Sequence, residues 1–144
     1  MNLDIINEMW SNDSILDPDN LHNESLRIPQ LHAKYHELYN TVLLMKKKEE
    51  QNYKTKYLER RNYYNGKADP EVYEDDPFPY KVREKDSLNY HLDADEQLSK
   101  IRLKIDYHDA MLNFLESILK QINNRTYQIK NAICLLYTSD AADE

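Results

Sequence analysis

One glycine in 144 residues excludes whole classes of function. Phosphate-cradling loops and dinucleotide fingerprints need several positions without a side chain, and this chain has only Gly66 to offer. The same scarcity argues against a turn-rich all-β fold. The single cysteine, Cys134, rules out an internal disulfide and any metal site built on cysteines. No apolar run reaches the ~20 residues that a membrane helix needs. The start, MNLDIINEMW, lacks the basic, apolar, small-residue order of a secretory signal. No Ser/His/Asp or Cys/His set stands out. Acid pairs such as Asp75-Asp76, or Asp93 with Asp95, fall in a connector and at a helix start rather than in a pocket that would tune them. No catalytic residue, cofactor or membrane contact is expected.

What is present reads as long helices. Charged residues make up 31% of the chain and hydrophobic ones 40%, with Leu, Lys, Glu, Ile and Asn abundant. The net charge of −7 conceals an alternation. Residues 1–30 carry a net −5, residues 31–67 a net +5, residues 68–96 a net −7 and residues 97–133 a net +3. Two basic segments thus alternate with two acidic ones. The end, Cys134–Glu144 (CLLYTSDAADE), departs from this composition and adds −3. It resembles the translated end of a transposon sequencing adapter. The expected organisation is therefore one helical domain over residues 1–133, with 134–144 an adapter-derived artefact.

The apolar spacing sets the elements. Leu3, Ile6 and Trp10 fall on one side of a short helix over residues 3–10. Asp17-Pro18 reads as a helix start, an acidic cap with proline in the first turn. From there Leu21, Ile28, Leu31, Tyr35, Leu38, Val42 and Met45 keep helical spacing, with Glu24 the one polar break. Pro29 is expected to kink this helix or split it in two. The pattern continues to Tyr64, and Asn65-Gly66 is the natural stop. Pro70, Pro77 and Pro79 make the next segment an irregular, acidic and aromatic connector, with a short strand or helical turn around Lys81–Leu92. Asp93 is expected to cap a second long helix. There Leu98, Ile101, Ile105, His108, Leu112, Leu115, Leu119, Ile122, Thr126, Ile129 and Ile133 form a heptad seam. On nearly the opposite side lie Leu103, Tyr107, Met111, Phe114 and Ile118. One apolar side can pack on the first helix. The other needs a neighbour, which a two-helix hairpin does not supply, so self-association through Leu103, Met111, Phe114 and Ile118 is expected. The fold class is all-α, an antiparallel hairpin of two long helices assembling into a homo-oligomer.

The segment Lys46–Lys67, KKKEEQNYKTKYLERRNYYNGK, carries the functional signal. Tyr53, Tyr57, Arg60 and Tyr64 stack along one side of a helix, and Lys47, Lys54 and Arg61 recur every seven residues beside them. Cations hold phosphates and flat rings stack on unpaired bases, which is the pairing a single-stranded nucleic acid requires. Each row also has a plainer role. The tyrosines can pack against the second helix, with Tyr63 and Tyr64 closing the hairpin over Gly66. The cations can form a solvated face paired with Glu49, Glu50 and Glu59. His32 and His36 have the spacing of zinc ligands on a helix, but Ala33 stands where a metalloprotease places its Glu, and no third ligand is evident. No metal site is expected. His108, inside the seam, fits a polar residue that sets register.

The order of these features resembles the UvsY-type recombination mediators of tailed phages, over roughly Ile15 to Ile133. It is carried by LRIPQLHAKY at Leu26–Tyr35, by RRNYYNG at Arg60–Gly66, by the Leu92-Asp93-Ala94-Asp95 helix start, and by the Leu/Ile-rich second helix. The resemblance implies a ring-like homo-oligomer that binds single-stranded DNA without sequence preference. It implies a non-enzymatic mediator in the cytoplasm of an infected bacterium, helping a RecA-like recombinase replace the single-strand-binding protein. In that family the DNA-contacting cations lie just before the Tyr-Tyr pair, which here points to Lys54, Lys56, Arg60 and Arg61. Leu58 and Glu59 stand where a further cation could be, which shifts weight onto Lys54 and Arg61. With the rows above, the candidate nucleic-acid contacts are Lys47, Lys54, Lys56, Arg60, Arg61, Tyr63, Tyr64 and Lys67. The rival is a structural coiled-coil or phage assembly protein whose basic face meets only acidic protein surfaces.

Overall fold

A computed structural model describes residues 1–80 and 85–143, and every element among them is helical. The order is α1 (Leu3–Asp13), α2 (Leu21–Tyr64), α3 (Pro70–Asp75), α4 (Lys85–Asp93) and α5 (Glu96–Asp143). The chain forms two compact units, Met1–Leu43 with Ala110–Glu144, and Leu44–Asp109; both long helices contribute to each. Within them the α2 and α5 segments pack antiparallel, as the two-helix expectation required.

The first unit packs parts of three helices around one core. Leu31, Tyr35 and Val42 of α2 meet Met111, Leu112, Leu115, Ile118 and Ile122 of α5, and α1 adds Ile6 and Trp10 to the same core. Asn2 starts α1 by accepting a hydrogen bond from the Ile5 amide at 2.9 Å. Asp13 ties the end of α1 to α2: its Oδ2 accepts from Lys34 Nζ at 2.6 Å and from the Tyr35 hydroxyl at 2.7 Å. Arg125 of α5 is buried, donates to the carbonyls of Asp13 and Ser14, and lies 5.4 Å from the Trp10 ring centre. A cation at the carbonyl end of a helix is favourably placed against its dipole.

This packing corrects the sequence-based account of α5. Met111 and Ile118 are sealed in the core, fully buried, and Phe114 packs against it half-buried. Met111 and Ile118 offer no surface to a second copy, because α1 is the third element that a bare hairpin would lack. The buried line on α5 here runs Met111, Leu115, Ile118, Ile122, Arg125 and Ile129. The strict heptad seam includes Thr126 and Ile133 instead, and both are exposed. An α-helix turns every 3.6 residues, so a 3.5-residue count slips around it by ~20° per heptad.

Three boundaries also differ from expectation. Asp17 and Pro18 form a turn, with Asp17 Oδ1 accepting from the Asp19 amide at 3.0 Å, and α2 begins at Leu21. The helix runs on through Pro29, which sits in its third turn, so it is not split in two there. The cap of α5 is Asp95 rather than Asp93: Asp95 Oδ1 accepts from the Leu98 amide at 2.9 Å, while Asp93 ends α4. The acidic connector is less irregular than its prolines implied, because it holds α3 and α4. Of the strand or turn expected over 81–92, residues 81–84 lie outside the described residues, and the rest is helix. At the other end, α5 runs on through the atypical tail to Asp143, with Leu135, Leu136 and Tyr137 exposed.

Candidate nucleic-acid interface

The second unit is built on the basic-aromatic half of α2. Tyr53, Tyr57 and Tyr64 project onto a small core of Leu88, Leu92 and Leu98 supplied by α4 and α5. Gly66 ends α2 at φ +75, a left-handed value that glycine adopts without strain. Its amide donates to the Tyr63 carbonyl at 3.2 Å, and the Lys67 amide donates to the Asn62 carbonyl at 2.8 Å. This paired closure satisfies carbonyls that the helix end would otherwise leave bare. It turns the chain so that Tyr73 can donate to the Tyr63 carbonyl at 2.7 Å, while the Tyr63 hydroxyl donates to the Asp76 carbonyl at 2.8 Å.

Arg60 belongs to this interior. Only 8% of it is exposed, and its Nε donates to Asp95 Oδ2 at 2.7 Å. The same oxygen accepts from the Tyr64 hydroxyl at 2.6 Å. The guanidinium also lies 4.2 Å from the Tyr63 ring centre and 5.2 Å from that of Tyr64. Burial alone would raise the pKa of Asp95, but the bonds from Tyr64, the Leu98 amide and Arg60 outweigh it and hold the carboxyl below its usual range. Tyr64 moves the opposite way, raised by burial and by its bond to Asp95. Arg60, Tyr63 and Tyr64 are therefore engaged in packing the helix end, Arg60 and Tyr63 buried and Tyr64 half-buried. The sequence held the signal for this. Arg60 falls in the tyrosine row, Tyr53, Tyr57, Arg60 and Tyr64, and shares the inward direction of that row.

The neighbouring cation row points outward. Lys47, Lys54 and Arg61 are exposed, as are Lys48 beside them and Lys67 beyond Gly66. Among the described residues no ion pair engages any of these five. Two exposed leucines, Leu44 and Leu58, share this side of α2. Lys56, the remaining predicted cation, is half-buried and paired with Glu59 at 3.1 Å. Lys46 is likewise committed, to Asp109 at 2.6 Å and Glu50 at 3.7 Å. Arg102 of α5 donates to the Asp93 carbonyl at 2.7 Å and to Tyr53 at 3.3 Å. On α2 the structure thus sorts the basic residues into paired ones and an outer row open to solvent. Among the described residues no group of His, Cys, Asp and Glu could hold a metal ion; His32 and His36 instead stack, ring centres 5.8 Å apart. No described helix is long and apolar enough to cross a membrane.

Residues 9–136 match the profile of the family described as "Recombination, repair and ssDNA binding protein UvsY". The fold is similar to crystal structures of the bacteriophage T4 recombination mediator protein UvsY. Lattice type IV superposes with a TM-score of 0.86 at 22% identity, covering 96% of this chain and 99% of that one. Lattice type II gives 0.84 at 24% identity, covering 98% of each chain. No individual curated protein sequence matches the chain.

Proposed function

Because the chain belongs to the UvsY family of recombination, repair and single-stranded-DNA-binding proteins, we propose that it captures single-stranded DNA on the outer cation row of α2, through Lys47, Lys48, Lys54 and Arg61, with Lys67 at the helix end. The observation that carries this is the exposure of five cations without an acidic partner among the described residues, in a chain whose other Lys and Arg on α2 are largely paired. Successive members of the Lys47, Lys54 and Arg61 row are about 10 Å apart along the helix. Such a row binds phosphates without reading bases. In this role the protein is a mediator and not an enzyme. It holds the strand while a RecA-like recombinase replaces the single-strand-binding protein. Several copies in a ring-like homo-oligomer multiply weak individual grips and still allow stepwise release. For contact between copies, exposed Leu103 remains, in an apolar groove with Met45 and Tyr107, whereas Met111 and Ile118 do not.

The test is a salt titration of binding to a labelled thymidine oligonucleotide. Five phosphate contacts per subunit predict a slope of about −3.5 in log K against log salt, or roughly a hundredfold weakening between 50 and 200 mM. Replacing Lys54 and Arg61 by Ala should reduce the slope by about 1.4. Absence of binding at low salt would favour a structural assembly protein instead. Light scattering on the same samples tests the assembly, and a monomer at binding concentrations would remove the ring.

A further inference from the structure

The tyrosines first considered for base stacking are spent on packing, yet another ring is left at the surface. Phe78 and Tyr80 follow Pro77 and Pro79, and each proline fixes its own φ and favours an extended residue before it. Phe78 is wedged among Tyr64 and His91, each 5.1 Å away, and Tyr63 at 5.6 Å. Tyr80 rests on this wedge, 5.7 Å from Phe78 at a steep angle and 6.3 Å from His91 at 26°, near parallel. Even so, 67% of Tyr80 is exposed. It is a ring supported from behind, with surface left open to a flat partner. Tyr90 is also exposed, at 76%, but no ring contact holds it among the described residues.

We infer that Tyr80 is a stacking platform for an unpaired nucleobase, braced by Phe78 and His91 at the end of α2 where Arg61 and Lys67 stand. This rests on the proposed DNA-binding role and deepens it. A cation row attracts any polyanion, duplex or single strand, because both offer phosphates. A supported ring adds selectivity, since every base has a face to stack but a duplex keeps its faces occupied. A ring already braced also loses less freedom on binding than one that swings. Tyr80 thereby sets the preference for single strands over duplex.

The experiment uses the full chain with a thymidine oligonucleotide, its abasic counterpart of equal charge, and a duplex of equal length. The unaltered protein should bind the base-bearing strand roughly tenfold more tightly than the abasic one. Tyr80→Leu, which still covers Phe78 but has no stacking face, should lose that factor and much of the preference over duplex, with an unchanged salt slope. Tyr80→Phe should retain both, and Tyr90→Ala should behave as the unaltered protein does. If Tyr80→Leu keeps the discrimination while the unaltered chain binds DNA, or if Tyr90→Ala loses it equally, the inference falls and the proposed function stands. If the unaltered chain binds no strand at all, both fall.

Discussion

Replacing Arg60 by Ala separates an inner cation from an outer one. The substitution removes a side chain only 9% exposed from a carboxylate only 2% exposed. Breaking a buried ion pair by deleting one partner costs about 3–5 kcal/mol, because the other charge is left without compensation. Here Asp95 keeps its bonds from Tyr64 and the Leu98 amide, which places the loss at the lower end. The contact of the guanidinium with the Tyr63 ring, at 4.2 Å, is lost as well and adds ~0.5–1 kcal/mol. The total is about 3–4 kcal/mol, equivalent to a fall of roughly 10 °C in the melting temperature of a chain this size. Circular dichroism melts measure it. Arg61→Ala, one residue on, should change stability by less than ~0.5 kcal/mol. The two should reverse in the oligonucleotide titration at a temperature where both are folded. There Arg61→Ala lowers the salt slope by about 0.7 and Arg60→Ala leaves it unchanged. A double-mutant cycle of Arg60→Met with Asp95→Asn should give a coupling of about 1–3 kcal/mol. If Arg60→Ala melts like the unaltered protein and flattens the salt slope, then Arg60 faces DNA and the division into inner and outer cations is wrong.

Three further outcomes follow from the same contacts. Asp95 and Asp13 both hold protons less readily than a free carboxylate, despite burial, because hydrogen bonds favour their ionised forms. Their contribution is complete above the unfolded value near 3.8 and is lost as pH falls through the lower folded value. Urea unfolding measured from pH 6 to pH 2 should show this loss, and Asp95→Asn should remove part of it. Trp10→Ala should destabilise the first unit by about 3–5 kcal/mol, read by denaturant unfolding, since it opens the α1 layer over the α5 core. Gly66→Ala meets no atom within 4 Å but forces a side chain to φ +75, so a loss of about 1 kcal/mol in a thermal melt should come from backbone conformation alone.

How far the sequence revealed this molecule depended on the range of the interaction. Local signals were legible. The spacing of Leu31, Tyr35 and Val42 marked the buried side of α2, and Asn65-Gly66 marked its end. What failed needed knowledge of a distant partner. Asp95 read only as an acid at a helix start, outside any pocket, until Arg60, 35 residues earlier, was placed against it. Met111 and Ile118 looked like an interface because the covering residues, Ile6 and Trp10, come from the opposite end of the chain. Arg125 counted only toward the net +3 of residues 97–133. In the fold it closes the end of α1, with its charged form disfavoured chiefly by burial. Pro29 removes one donor from α2, yet the helix continues through it. The packing of Leu31 and Tyr35 immediately beyond is a sufficient physical reason.

The division of cations also explains how an acidic protein can be suited to hold a nucleic acid. A net charge of −7 opposes adhesion of the whole surface to a polyanion, so attraction is confined to where cations outnumber acids. Segment sums place that region in residues 31–67, but they count Arg60 and Lys46, which are occupied by Asp95 and Asp109. Removing such paired groups leaves the five exposed cations of the outer row. Under the proposed function, a grip of that size is sensitive to salt and weak enough to be exchanged. On that reading, pairing Lys54 or Arg61 internally would tighten the fold slightly while removing a phosphate contact, whereas unpairing Arg60 would loosen the helix end by leaving Asp95 without its cation.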